Sequence, residues 1–579
     1  MAFNLKNSVK YYGDNLKFHY KLRGCFLVAQ ILLNLKDIGN VMVEEGITAY
    51  DIVEKYYKDS EVPIILAKLN NDHIELREEI RKEGNFEPID ISTTTGNRTY
   101  FRTLQFIFIK AAYELFPGCK VTIEHALDKG IYGEIHKERA LDEEDIKALN
   151  KRIQEIIDRN TIINKTRVTV SEAMKIFDSY NLEDKLRLLR NIGKEDVTLY
   201  ELEGRYDYFF GFQGYSTGVI KNFKVIFHDP GFIIRIPSEE HPKEILPFVE
   251  HKKLDAIFRE TEEWLDILNV ADVGALNGYI QNGNINELIM VAEALQEKKI
   301  AYIADMIQER KEVKIVLIAG PSSSGKTTFA NRLGVQLRVN GFTPIPISLD
   351  DYFLNREITP KDENGDYDFE SIKALDIDLF NENLRDLMEG KEVEIPSYDF
   401  KTGKRKWVGN KLILPHNGIL IVEGIHGLND MLTNSISSKN KFKIYISALT
   451  QLNLDSHNRI ATTDVRRIRR IVRDFLSRGY GGETTLTMWP SIRRGEEKNI
   501  FVFQEEADVM FNSTLVYELC VLKKYAVEEL KKVSKNSPVY YEAERLISFL
   551  NLFKDVDMNL VPSNSILREF IGGSIFYRY

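Results

Sequence analysis

Apolar positions along this 579-residue chain fall into blocks of different period. Residues 40–95 hold short apolar runs (NVMVEEG, PIILAKLN and PIDIS) around one helical stretch, AYDIVEKYYKD, which predicts a small β-rich α+β unit. From residue 96 the period lengthens. Leu104–Leu115 predicts a strongly apolar helix closed by Phe116-Pro117-Gly118. Two charged helices follow, DEEDIKALNKRIQEIIDRN and VSEAMKIFDSYN, and then a Tyr- and Phe-rich strand region from RYDYFFGF to GFIIRIP. Residues 241–311 read as helical throughout. From Lys314 onward, the runs KIVLIAG, TPIPISL, GILIVEG and KFKIYISAL alternate with helical or loop segments. That alternation predicts a parallel sheet covered on both faces. The expected architecture is α/β, with units at 1–95, 96–240, a helical connector at 241–311, and 312–579 ending in a helical extension.

A hydrophobic fraction of 43% and a charged fraction of 28% describe a globular chain with ample core. The net charge of −9 argues against a general nucleic-acid coat, although local basic faces survive such an average. Cys25, Cys119 and Cys520 lie far apart without CxxC spacing, which suits a reducing cytosol and forms no disulfide framework. The apolar stretch Cys25–Leu35 is too short to span a bilayer and contains Gln30 and Asn34, and no signal-peptide layout precedes it. A cytoplasmic location without a membrane partner is expected.

Chemistry concentrates after residue 314. The segment KIVLIAGPSSSGKTT runs from an apolar strand through Gly320-x-x-x-x-Gly325-Lys326-Thr327 into a helical sequence. That is the context a phosphate-binding loop requires. Gly320, Ser322, Ser323, Ser324, Gly325, Lys326, Thr327 and Thr328 are the expected nucleotide contacts. Lys326 would neutralise the β/γ-phosphates, and the Thr327 hydroxyl would ligate Mg²⁺. Asp350, in Ser348-Leu-Asp-Asp-Tyr352-Phe353, falls at the end of the second predicted strand of this region, where a carboxylate can accept the proton of an attacking hydroxyl. Glu423 ends the buried-strand pattern Gly418-Ile-Leu-Ile-Val-Glu and points to the metal region. Arg466, Arg470 and Arg473 recur at i, i+4 and i+7, so one helical face carries three guanidiniums suited to cover the transferring phosphate as a mobile lid.

GPSSSGKTT, LDDYF, Tyr398-Asp-Phe400, IVEG and RRIVRDFLSRG resemble the uridine kinase/phosphoribulokinase family in the same order and at similar spacing. The resemblance covers Lys314–Tyr517. It implies ATP- or GTP-dependent, Mg²⁺-assisted phosphorylation of a nucleoside 5′-hydroxyl, with uridine or cytidine as the expected acceptor. By the same resemblance Asp350 matches the catalytic base, Glu423 the magnesium-site acid, and Arg470, Arg473 and Arg478 the lid arginines. Tyr398 and Phe400 match aromatics flanking the base, Phe369-Glu370 falls where the family has Phe-Asp, and Tyr352 is placed with the acceptor residues. Glu370 replaces the family's usual aspartate, Lys401-Thr402-Gly403 stands where a histidine is common, and Tyr480 stands where a further lid arginine is usual.

The front half resembles two other modules. GITAYDIVEKY through PIILAKLNN resembles a TGS domain, assigned to 1–95. The Leu115-Phe-Pro-Gly118 helix end, VTIEH and GIY resemble the second additional domain of threonyl-tRNA synthetase, assigned to 96–240. Counting back from LFPG, the synthetase's metal-site histidine pair corresponds here to Arg102 and Phe106, which removes zinc binding through that pair. His125 and His136 read as structural. The combination, with the ending Pro562–Ser574, resembles long bacterial nucleoside kinases. Phosphorylation of another small alcohol or a sugar phosphate stays open, as does an RNA- or nucleotide-sensing protein with an ATP switch. An RNA or nucleotide ligand of the front half and a homo-oligomeric state are the remaining partner expectations.

Overall fold

A computed structural model describes residues 19–23, 26–362, 365, 367–450 and 452–577. In the front half, strands His19–Arg23, Phe26–Leu35, Gly39–Glu44, Ile64–Leu69, Asp72–Glu75 and Gly84–Asp90 form one mixed sheet. A short helix, Ala49–Tyr56, buries Ala49, Ile52 and Val53 and is started by a Thr48/Asp51 capping box. The apolar helix starts earlier than its hydrophobic run, at Thr94, because Thr93 caps the Gly96 amide (α1, Thr94–Leu115). It lies against an antiparallel sheet of Lys224–His228, Gly231–Arg235, Gly130–His136 and Lys120–Leu127, and packs Phe106 on Phe209 and Phe108 on Phe232. The connector includes one long helix (α2, Ile285–Glu309).

The C-terminal half is a five-stranded parallel sheet. Its strands are β1 (Ile315–Ala319), β2 (Thr343–Ser348), β3 (Gly418–Glu423), β4 (Lys441–Ser447) and β5 (Val509–Asn512), in the order β2-β3-β1-β4-β5. β1 is buried at every residue because both faces are covered. Val316 and Ile318 face a core built with α2 and with α3 (Lys326–Val339), while Ile315 and Leu317 face a second core with α4 (Ile377–Met388). Four strands coincide with the apolar runs in the sequence; β5 was not foreseen. The arginine helix (α5, Thr462–Arg473), then α6 (Gly482–Asn499) and α7 (Tyr540–Leu550) complete the half. Among the described residues, no helix is long and apolar enough to cross a membrane.

The two halves interlock. The small hairpin at Asn453–Arg459 of the C-terminal half enters the front half, where the Ile123 amide donates to the Ser456 carbonyl at 2.8 Å and the Phe210 amide to Asn458 Oδ1 at 2.9 Å. At its tip, the fully buried Lys185 ammonium lies 2.9 Å from Asp207 and 3.0 Å from Asp455. Burial alone would lower the Lys185 pKa, and the two carboxylates override it and raise it. Removing the cation leaves two buried aspartates facing each other. Lys185→Met is therefore expected to cost about 3–5 kcal/mol of unfolding free energy, measurable by urea denaturation.

Candidate active site

Two glycines set the phosphate loop. A Cβ on Gly320 would collide with the Ile446 carbonyl of the neighbouring strand, and Gly325 has φ +86°, a left-handed conformation that side chains resist. Gly325 also begins α3 and has no side chain with which to cap it, so the amides of the first turn look to groups from outside the helix or to an anion. Ser323 takes φ +59°, and both Ser323 and Ser324 are buried in the loop wall. Lys326 Nζ donates to the Gly320 and Pro321 carbonyls at 3.0 and 3.1 Å. Ser322 meets Arg470, whose Nη1 donates to its hydroxyl at 2.6 Å.

Parallel pairing places Ser348 opposite Glu423 at the carboxyl edges of β2 and β3. Glu423 accepts from the Ser348 hydroxyl at 2.9 Å and from the Thr327 hydroxyl at 3.4 Å. Burial and then the Asp350 charge push the Glu423 carboxyl up to about 7, against the pull of Lys326. A Thr hydroxyl beside a half-buried carboxylate suits Mg²⁺, which takes one or two protein oxygens and leaves its other positions to phosphate and water. Ser348, which orients Glu423, was not among the sequence candidates.

Glu370 packs against α6 where Gly495 leaves room for it. Burial, then the Glu496 charge, push its carboxyl up to about 7, with Arg470 and Lys326 opposing. Since this folded-state pKa exceeds that of an unfolded glutamate, the folded protein holds the extra proton and its stability falls as pH rises through the window up to about 7. Glu370→Gln should therefore raise stability by about 1–3 kcal/mol at pH 8 and by almost nothing at pH 4, read from melting curves at both values.

Ahead of Asp350 stands an aromatic group. Phe353 lies 5.5 Å from Tyr398, 6.2 Å from Phe400 and 6.1 Å from Phe369, and the Arg478 guanidinium covers Phe400 at 5.2 Å. The Tyr398 amide donates to Asp351 Oδ1 at 3.1 Å, which ties this wall to the Asp350 turn. Tyr352 needs correction. Its ring is fully buried on Phe380, with its hydroxyl accepting from Asn383 of α4 at 3.0 Å, so it supports the turn from beneath and presents no face to an acceptor.

The arginine helix also differs from expectation. A mobile lid would be exposed, yet Asp464–Val472 are all buried. Arg466 donates to the Ser322 carbonyl at 3.1 Å and pairs with Glu496, and Arg469 pairs with Glu518 at 2.6 Å. Arg470, Arg473 and Arg478 converge on the buried Asp474 at 3.1, 2.8 and 3.8 Å. Mutual repulsion with Arg473, then burial, lowers the Arg478 pKa to about 10. Three cations on one carboxylate make an electropositive wall beside the phosphate loop.

Two contacts with the loop had no local signal in the sequence. Glu496 of α6 accepts from the Ser322 amide at 2.9 Å. From the C-terminal segment, Glu569 accepts from the Thr328 amide and hydroxyl, both at 3.1 Å, and Ile566 packs where a Gly325 side chain would be. A phosphate arriving at the first turn of α3 must compete with that carboxylate. Glu569→Gln is expected to tighten ATP binding about three- to tenfold, measured by equilibrium titration. Phe106 is core, and His125 is a buried ring stacked on Phe258 at 3.7 Å whose pKa burial lowers far below its usual range. Among the described residues no group of His, Cys, Asp and Glu could hold a metal ion by itself.

A parallel sheet whose central strand feeds a glycine-bound phosphate loop, faced by a strand-end carboxylate and an arginine wall, defines a P-loop phosphotransferase. The chain belongs to the phosphoribulokinase/uridine kinase family, whose sequence profile matches residues 315–518. It is 30% identical over 177 residues to a uridine kinase of Ureaplasma urealyticum, covering 31% of this chain and 76% of that protein. A Staphylococcus aureus uridine kinase is 29% identical over 184 residues, 32% of this chain and 79% of that one. The front half is similar to a threonine–tRNA ligase of Caldanaerobacter subterraneus, 26% identical over 200 residues, 34% of this chain and 31% of the ligase. A solved D-glycerate 3-kinase of Cryptococcus neoformans covers 46% of this chain and 89% of its own at 14% identity with a TM-score of 0.22, so the fold is read from the sheet itself.

Proposed function

We propose that the protein transfers the γ-phosphoryl group of ATP to the 5′-hydroxyl of a nucleoside, with uridine and cytidine as the acceptors. One observation carries this reading: Glu423 at the end of β3 accepts from the Thr327 and Ser348 hydroxyls beside the phosphate loop, while Phe353, Phe369, Tyr398 and Phe400 form an aromatic wall tied to the turn that carries Asp350. The aromatic faces of Phe369, Tyr398 and Phe400 suit a planar base, and Asp350 at the strand end suits a hydroxyl. In transfer, the 5′-oxygen attacks the γ-phosphorus, its proton passes to Asp350, and the bridging oxygen leaves with ADP. Lys326 and the Arg470, Arg473 and Arg478 guanidiniums balance the charge on the moving phosphoryl. Thr327 and Glu423 hold Mg²⁺, which when bound neutralises the phosphates.

The test is a panel of nucleosides, sugars and sugar phosphates with ATP and purified full-length protein, products read by mass. A nucleoside monophosphate from uridine or cytidine is expected. Phosphorylation confined to a sugar phosphate, as phosphoribulokinase relatives would give, replaces the acceptor and keeps the donor site.

A further inference from the structure

A cavity of about 830 Å³ lies away from the catalytic groups, between the front half and the C-terminal half. Neither the phosphate loop, Asp350, Glu423 nor the aromatic acceptor wall lines it. Its walls are α1, the end of strand Gly231–Arg235, the Asn453–Arg459 hairpin, α5, α6 and α7. A volume of this size lies within the range of small-molecule sites.

Guanidiniums dominate the lining. Arg98, Arg467 and Arg545 share two carboxylates, Asp464 and Glu542. Arg98 approaches them at 3.4 and 3.8 Å, Arg545 at 2.7 and 2.7 Å, and Arg467 reaches Asp464 at 3.9 Å and also pairs with Glu542. The Nε of Arg467 is buried without a hydrogen-bond partner. Two further arginines have no carboxylate within ion-pair distance among the described residues. Arg102 donates at 2.7 Å to the Phe212 carbonyl, and the Arg459 guanidinium has no hydrogen-bond or ion-pair partner among the described residues. Other acids of the lining are engaged elsewhere: Asp128 by Arg235 at 2.9 Å, Glu240 by Lys129 at 3.4 Å, Glu497 by Arg493 at 2.5 Å, and Glu239 by the Thr94 hydroxyl at 2.9 Å. Burial lowers Arg102 and Arg459 to about 10, yet both stay charged at neutral pH. Collecting half-buried cations without carboxylate partners at this junction is unfavourable, and a bound anion would offset them.

Aromatic faces complete the site. Tyr541 stacks on Phe212 at 5.6 Å and meets His73 at 4.1 Å, and both Arg466 and Arg467 lie over Trp489, at 5.5 and 5.1 Å. Planar guanidiniums bind phosphate in a bidentate way, and the rings accept a flat heterocycle.

We propose that this cavity is a second binding site, for a free nucleotide: a phosphate-bearing ligand with an aromatic base, held by Arg102, Arg459 and Arg467. The site adjoins the catalytic centre through one helix. Asp464 and Arg467 of α5 line the cavity, while Arg466 and Arg470 of the same helix hold Ser322 of the phosphate loop.

The experiment is calorimetric titration of the full-length protein with UTP, with uridine as the uncharged comparison, in the wild type and in Arg459→Met and Arg102→Met. The wild type is expected to bind UTP at an Arg459-dependent site that uridine does not fill. Both variants should weaken that site about 10–100-fold. Arg459→Met should keep basal kinase turnover, and its ligand-free melting temperature should hold or rise because a half-buried charge without a carboxylate partner is gone. Arg459→Lys should recover part of the binding, which separates the site from misfolding. UTP binding that is identical in wild type and Arg459→Met overturns the proposal, as does a site that accepts RNA oligonucleotides and no free nucleotide. Failure of the catalytic reading looks different, since the Arg459-dependent site would then persist as the sole UTP site.

Discussion

Asp350→Asn is expected to lower kcat about 10²–10⁴-fold, the range removed with a general base, while ATP affinity changes by less than about twofold. The asparagine keeps the volume and the turn. The turn's own bond runs from the Phe353 amide to the Asp350 backbone carbonyl at 3.4 Å, and the side chain is not part of it. What is lost is the proton acceptor at the end of β2. Single-turnover transfer to uridine, paired with equilibrium ATP titration, reads the two quantities separately. Near-normal kcat would remove Asp350 from the role.

Arg470→Met is expected to reduce kcat about 10²–10³-fold, with a smaller rise in the KM for ATP. Arg470 is anchored from both sides, by Asp474 at 3.1 Å and by Ser322 of the loop at 2.6 Å, so its charge is already positioned before the donor arrives. A preorganised cation acts most on charge that develops during transfer. Equal losses in kcat and in ATP affinity would instead describe a plain binding contact. Steady-state kinetics over a range of ATP concentrations distinguishes the two outcomes.

The sheet and the phosphate loop were legible because their requirements are local. Buried parallel strands must be apolar throughout, and the loop needs glycine where Ile446 crowds it and where φ is positive. β5 escaped because Val509–Asn512 is only four residues and ends in asparagine, too short to stand out as an apolar run. Tyr352 was misread because proximity to Asp350 in sequence says nothing about direction. The turn sends its ring under α4 to Phe380 and Asn383. The burial of α5 was hidden for a related reason. Arginines look solvated in a sequence, and only Glu496 and Glu518, brought in from elsewhere, together with Asp474 at the end of the helix, make their burial tolerable. Glu569 on Thr328 and the hairpin around Asp455 are contacts between residues hundreds of positions apart, which no local pattern announces.

Phe106 is packed in the core and Arg102 turns to the cavity, so the positions that would hold a metal pair hold an apolar ring and a cation. Arg102 shares that cavity's lining with residues of α5 and α7 of the C-terminal half.

Phosphate is expected to move from ATP to a nucleoside 5′-oxygen. The direct measurement is label transfer from γ-labelled ATP with uridine and, in parallel, with 5′-deoxyuridine. The label is expected in uridine 5′-monophosphate and absent from every product of the deoxy analogue. Label that appears only as inorganic phosphate, or that reaches 5′-deoxyuridine as readily as uridine, would contradict the account.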